Sequence, residues 1–353
     1  MTTATDRTDE LAGIVTSAFD DHRPLLIKAG GSKSFLGETG EGEALDLSAH
    51  RGVISYEPGE LVLTARAGTP LAEIETLLAE SHQALPFEPP HFGDSATLGG
   101  TIATGVSGPA RPYTGAARDF VLGTRIINGR GEILRFGGEV MKNVAGYDLS
   151  RFMAGAFGTL GVLLDVSLKV LPQPRVQTTL VFEHDRATAL QQFSDWGLHP
   201  WPITGAYWED GYTYLRLAGA ESSVAAARTT LGGQHMADDT GFWRAVGELE
   251  RPVLDDDQPL WRLSVPPAAP AFDIEGIRAI DWGGAQRWLV SNADATTIRE
   301  AAAAQGGHAS LYRGGQSPRF QPLPPAMLAL QQRLKQSLDP RRILNRGRLY
   351  TEL

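Results

Sequence analysis

Three stretches of this 353-residue chain combine residue types that could hold a ligand by backbone rather than by side chain. In "IKAGGSKSFLG", an apolar strand runs into Ala29, Gly30 and Gly31, followed by Ser32, Lys33 and Ser34. A strand ending in a glycine turn exposes successive N–H groups, which together can cradle a diphosphate, and the hydroxyls and the lysine add donors and charge. The stretch lacks the Gly-Lys-Ser/Thr ending of a P-loop and the Gly-x-Gly-x-x-Gly spacing of a dinucleotide fingerprint. The second, "FGDSATLGGTIATGVSG" (92–108), has no charge beyond Asp94 and spaces Leu98, Ile102 and Val106 by four residues. That spacing predicts a short helix with one apolar face, opened by a glycine-rich loop. The third, residues 142–170, sets "GTLG" between an apolar helical stretch and a strand, where bare backbone can approach a flat group. Taken singly, each stretch also reads as an ordinary turn.

The elements that must position these loops follow from periodicity. Leu11, Ile14, Val15, Ala18 and Phe19 share a helical face, with Thr8 as the expected N-cap. "TPLAEIETLLAESHQ" predicts a second helix, capped by Thr69, with Pro70 at its first position. Strands are expected on both sides of "EPGE" and on both sides of Asn128-Gly129, and again in "GVLLDVSLKVLP". Beyond about residue 174 the chain alternates strands with helices, including a hairpin on Asp210-Gly211 and a helix capped by Asp185. This alternation predicts a small α+β layer with helices on one face of a sheet. The rings of Trp196, Trp201, Tyr207, Trp208, Tyr212 and Tyr214 read as a hydrophobic layer between hairpin and helix, with a substrate wall or an interface as the sharper readings. A proline-rich stretch then leads to a C-terminal helix and a locally basic tail.

Bulk numbers narrow the function classes. With 41 acidic and 32 basic residues the net charge is −9, and without a dense basic block nucleic acid is an unsuitable partner. Cysteine is absent, so this chain offers no disulfide, no thiol nucleophile and no ligand set for a cysteine-held iron–sulfur cluster. No metal site is expected, because the acidic run at 255–257 stands alone and reads as a solvated turn. No window is long and apolar enough to span a membrane, and the N-terminus has no secretory pattern, so a cytoplasmic location is expected.

Taken in order, the three loops resemble the flavoproteins with a vanillyl-alcohol-oxidase (PCMH) type of FAD domain. "IKAGGSKSFLG" is similar to their first phosphate loop, "DSATLGGTIAT" to their second, and "VAGYDLSRFMAGAFGTLGVLLDVSLKVLP" and "LDPRRILNRGRL" to two later segments. The resemblance covers about residues 24–172 and 338–349. It implies an α+β fold: a PCMH-type FAD-binding domain of two α+β lobes (1–173), a smaller α+β cap, substrate or interface domain (174–320), and a C-terminal helix and tail (321–353) returning to the FAD domain. It also implies that residues 29–34 hold the cofactor with Gly93, Asp94, Ser95, Thr97, Leu98, Gly99, Gly100, Ala103, Thr104 and Gly105. Gly161 and Val162 would meet the adenine end and Asn345 the pyrimidine edge. Members that attach FAD covalently commonly place His in the first loop, which here reads Gly-Gly-Ser-Lys, so dissociable FAD is expected.

Within that family, length and wording bring the chain nearest to the FAD-binding subunits of bacterial glycolate oxidases. The resemblance implies oxidation of a small 2-hydroxy acid, glycolate, to glyoxylate. It further implies a larger FAD-containing subunit and an iron–sulfur subunit as partners, through which the chain could sit peripherally at the inner membrane. Oxidation of this kind needs a base for the hydroxyl proton. His91, in "EPPHFG", and His308, with Arg313 five residues on for a carboxylate, are the candidates, and each also reads as an ordinary surface or turn residue. The "GDGNxH" and "HxxxxxxH" segments of the hydroxy-acid-oxidising relatives do not occur in 173–320. An assembly or electron-relay subunit without substrate chemistry is therefore the alternative, and a stand-alone FAD-dependent oxidoreductase of this fold is a third.

Overall fold

The computed structural model describes residues 4–138, 149–272 and 274–353, so residues 144–148, which open the "VAGYD" motif, lie outside the described residues. The chain divides into two compact units. The first comprises 1–106, 116–172 and 322–353, and the second 107–115 and 173–321, so residues 107–115 go with the second unit.

In the first unit, an antiparallel five-stranded sheet has the order Val53–Glu57, Val62–Arg66, Val162–Lys169, Val121–Ile127, Ile133–Gly137. Its central strand is buried from Val162 to Leu168, as its nearly continuous apolar run requires. A separate parallel pair joins Leu25–Lys28 to Glu43–Asp46. Helix Thr8–Asp20 buries Leu11, Val15 and Ala18, and helix Leu71–Glu80 buries Leu71, Ile74 and Leu78. Each such leucine, isoleucine or valine contributes about 1.5–3 kcal/mol of transfer free energy.

Both expected caps are displaced. Thr8 lies inside its helix, and the Asp6 carboxylate instead accepts from the Thr8 N–H at 2.9 Å and hydroxyl at 2.6 Å. Pro70, extended at ψ 135°, occupies the N-cap position of the second helix, which frees the Thr69 hydroxyl to accept from the Gly52 N–H at 2.9 Å. The Asn128-Gly129 turn is also wider than a two-residue hairpin. The Asn128 side chain accepts from the N–H groups of Arg130 and Glu132, and Gly131 takes the positive φ. Gly129 has a different role, because a Cβ there would fall 2.3 Å from Asp339 Oδ1.

The second unit is an eight-stranded antiparallel sheet. Its strand order is Gln234–His235, Val176–Glu183, Tyr212–Gly219, Ile203–Glu209, Ile277–Asp281, Gln286–Val290, Leu260–Ser264, His308–Arg313. Helices Arg186–Gly197, Glu221–Leu231 and Ala295–Ala304 pack one face through Phe193, Trp196, Val224 and Ile298. Asp185 caps the first of these helices, and Asp210-Gly211 turns its hairpin with both φ values positive, as expected. Helix Asp239–Gly247 and strand Ile277–Asp281 were not legible in the sequence. Phe242 of that helix meets Tyr214 at 4.3 Å and Tyr207 at 6.0 Å, while Trp196 and Trp208 lie in the core under the other helices. The aromatic set is thus divided between the two faces of the sheet, and helices do not keep to one face.

Candidate functional site

A groove of about 200 Å³ lies within the first unit, and all three glycine-rich stretches reach it. Residues 29–34 follow the edge strand Leu25–Lys28 and form one wall. Among the described residues, the N–H groups of Gly30, Gly31 and Ser32 make no hydrogen bond. Gly31 has φ +76°, and a Cβ there would meet nothing within 4 Å, so this turn spends its glycine on backbone conformation and leaves the groove open. Gly30 spends its glycine on contact: a Cβ would sit 1.5 Å from the Ser95 carbonyl oxygen. The first loop therefore rests directly on the second.

Helix Leu98–Thr104 supplies the opposing wall through Thr97, Gly99, Gly100, Ala103 and Thr104. Thr97 caps it by accepting from the Gly100 N–H at 3.2 Å, and Gly105 ends it at φ +65°. Its first amides are committed, since Leu98 N–H donates to Thr69 O and Gly99 N–H to Ala67 O. Among the described residues the first loop thus supplies three consecutive unpaired N–H groups at the groove, and the N–H groups of Gly158 and Gly161 on the floor are unpaired as well. Gly99 carries no side chain because a Cβ would come 2.7 Å from that of Ala67. Leu98 and Val162 point into the core, and Gly93, Asp94 and Ser95 are exposed at the loop tip; none of these five lines the groove, nor does Gly105.

The floor comes from Phe157, Gly158 and Gly161 of the "GTLG" region with Leu26, Ile27 and Leu163. Asn345 reaches this floor from the C-terminus in a left-handed conformation, φ +43°. Its side-chain oxygen accepts from Ile27 N–H at 2.7 Å and its amide donates to Phe157 O at 2.6 Å, so it binds strand to floor. Three further residues were not singled out in the sequence. Arg348 lines the groove and donates to Leu36 O at 2.7 Å and to Glu38 O, holding the first loop; burial lowers its pKa against the pull of Glu38. Lys335 and Asp339 form a buried pair at 2.8 Å. The lysine donates to Thr159 O and Leu344 O, and the carboxylate accepts from the N–H groups of Ile343 and Leu344. Burial lowers the Lys335 pKa, with Asp339 opposing. The i,i+4 spacing of "KQSLD" was the only available signal for this pair.

The catalytic candidates fall in different units. His91 borders the second loop, with its ring nitrogen 3.0 Å from Glu75 and its carbonyl accepting from Lys33 Nζ at 3.1 Å. His308 and Arg313 belong to the second unit, where Arg313 donates to Leu254 O. Among the described residues no cluster of His, Cys, Asp or Glu is arranged to hold a metal, and no helix is long and apolar enough to cross a membrane.

Comparison with known proteins follows the same residues. A family described as an FAD binding domain matches residues 3–137. Glycolate oxidase subunit GlcE of Escherichia coli (strain K12) is 48% identical over 99% of this chain and 99% of its own length. The chain belongs to the GlcE family. Glycolate oxidase subunit GlcD of Bacillus subtilis (strain 168) is 31% identical over 52% of the chain, and the match spans 40% of that longer protein. A D-lactate dehydrogenase of Anaerostipes hadrus is 28% identical over 50% of the chain and 38% of its own length. Among solved structures, an alkyldihydroxyacetonephosphate synthase superposes with a TM-score of 0.65 at 17% identity, covering 96% of this chain and 74% of that one. The α+β, PCMH-type fold and FAD as cofactor, both expected from the loops, are thereby shown for this member of the GlcE family. The groove suits that cofactor, because three unpaired amides offer dipoles to a diphosphate and the bare glycine walls admit a planar ring.

Proposed function

We propose that this chain is the FAD-binding subunit of an enzyme that oxidises glycolate, or a close 2-hydroxy acid, to the corresponding 2-oxo acid. The observation that carries this reading is the groove itself, with the consecutive unpaired N–H groups of Gly30, Gly31 and Ser32 beside the bare helix start at Gly99 and Gly100. FAD, when bound, supplies the two-electron acceptor. The amides of the first loop would hold its diphosphate, the Lys28 side chain would add a charge at the same wall, and Asn345 would keep strand and floor in register. Among the described residues no His, Cys or Tyr lines the groove, and with no His in the first loop we read the cofactor as held without a covalent bond. Electrons must leave through a carrier that a cysteine-free chain cannot house as a cysteine-ligated cluster. We therefore assign it an iron–sulfur subunit and a larger FAD-containing subunit as partners, in the cytoplasm or attached to the inner membrane through them.

The test is direct. The purified chain should carry about one FAD per chain, released into solution on denaturation, and a colourless protein that cannot be reconstituted with FAD would overturn the assignment. The missing "GDGNxH" and "HxxxxxxH" segments favour a second reading, an electron-relay or assembly subunit. Adding glycolate to the isolated holoprotein separates the two: bleaching supports oxidation by this chain, and a bound but unresponsive flavin supports the relay.

A further inference from the structure

The face of the second unit's sheet that turns away from its three packing helices carries an arginine that, among the described residues, forms no ion pair. Strand Leu260–Ser264 lies between Gln286–Val290 and His308–Arg313, with Arg262 opposite Trp288 on one side and Ser310 on the other. Ser264 is likewise opposite Gln286 and His308. Residues directly opposite one another project from the same face. Arg262, Ser264, Trp288, Ser310 and His308 therefore share a face, while the alternate residues Trp261, Leu263, Leu289, Ala309 and Leu311 form the core under the helices.

Arg262 is half-buried and its Nε is buried without a hydrogen-bond partner. Among the described residues its guanidinium forms no ion pair and no hydrogen bond. What it does have is an aromatic base. The guanidinium lies 5.5 Å from the centre of the Tyr312 ring, which meets Trp288 edge-on at 5.0 Å. Both rings are buried. Stacking of this kind aims the planar fork but leaves its donors unused, and a desolvated, unsatisfied arginine is costly unless something anionic completes it. Three other arginines of this unit are engaged: Arg251 pairs with Glu209, Arg287 donates to three backbone carbonyls, and Arg216 donates to Thr204.

We propose that Arg262 anchors a small-carboxylate site on this face, its fork taking the carboxylate of a 2-hydroxy acid beside Ser310 and His308. One guanidinium outside any ion pair matches one carboxylate, whereas a phosphate dianion would call for a second cation. Partial desolvation, and then the charge of Arg262, lower the pKa of His308, so the imidazole is neutral at neutral pH and does not compete for the anion. This assignment replaces Arg313, whose guanidinium is turned to Leu254 O. It rests on the functional reading above for the identity of the acid, though not for its charge.

The test uses the full chain, saturated with FAD, titrated calorimetrically with glycolate and with D-lactate. Wild type should bind saturably. Arg262→Met, which keeps the aliphatic stem, should weaken binding by about tenfold or more, and Arg262→Lys, which keeps charge without the fork, should fall between. Flavin content should be the same in all three. In histidine NMR the His308 titration should move upward in Arg262→Met, because a nearby cation has gone. Unaltered binding by folded Arg262→Met, no saturable binding by wild type, or equal competition by inorganic phosphate would each overturn the site. Should Arg262→Met fail to fold, Arg262→Lys with wild-type affinity would do the same. A chain that binds glycolate through Arg262 yet cannot hold FAD would sink the functional reading and leave this inference standing.

Discussion

At Gly30 the nearest obstacle to a methyl group is another loop's backbone, whereas at Gly31 there is none. The two neighbours should therefore respond differently to alanine. Gly30→Ala must push the Ser95 loop away, at a cost of about 3 kcal/mol, and should abolish FAD retention. Gly31→Ala meets no atom and pays only for a left-handed alanine, about 1–2 kcal/mol, at a residue that lines the groove, so it should fold and hold FAD more weakly. Denaturant titration and flavin absorbance check both. Asn345→Ala leaves the Ile27 N–H and the Phe157 carbonyl without their partner, which should lower stability by roughly 2–4 kcal/mol. Weakened flavin retention should accompany it, because the two groups it joins, one from strand Leu25–Lys28 and one from the "GTLG" region, both belong to the floor of the groove.

The C-terminal helix Pro325–Leu338 is tied to the groove through Lys335. Lys335→Met would strand the buried Asp339 carboxylate, a change that typically costs about 3–5 kcal/mol. The pH dependence has a definite sign. Burial holds the folded Lys335 pKa below its ordinary 10.5, so between the two values the unfolded chain binds the extra proton. Stability from this group therefore rises with pH across that window, and Lys335→Met should remove the rise. The entry to helix Thr8–Asp20 behaves oppositely. The Thr8 hydroxyl and N–H, and then Arg66, hold the Asp6 pKa well below its ordinary 3.8. Its contribution is complete above 3.8 and is lost as pH falls through the folded value, so Asp6→Asn should flatten the acid limb of stability. The effect should be small, since this carboxylate is nearly half exposed.

The first unit is assembled from three separated pieces of chain, and the last of them, 322–353, brings Asn345 and Arg348 to the groove and ties the Lys335–Asp339 pair to Thr159 and Leu344. A chain ending at Gln321 should accordingly lose its flavin even though every residue of the matched FAD binding domain, 3–137, is retained. Absorbance of the purified truncated protein decides this, and a yellow product would show that the tail is dispensable. For the whole protein, iron analysis of the isolated chain should find none, while material co-purified from its native cell with partners should contain it.

Glycine-rich loops, buried strands and the Asp210-Gly211 hairpin were legible because each depends on dihedral preferences and periodicity within a few consecutive residues. So was the order of three loops that together mark the flavoprotein family. Roles that depend on a distant partner were not. Thr69 has the composition of a cap but answers Gly52, Gly129 looks like a turn residue but makes room for Asp339, and Asn345 works on a strand 318 positions away. Strand Ile277–Asp281 has too little alternation to announce itself and exists because Gln286–Val290 and Ile203–Glu209 supply its hydrogen bonds. Likewise, nothing in "LWRLS" says that its arginine forms no ion pair with any described residue. A residue's type limits the contacts it can make; only the folded backbone decides which atoms arrive within reach.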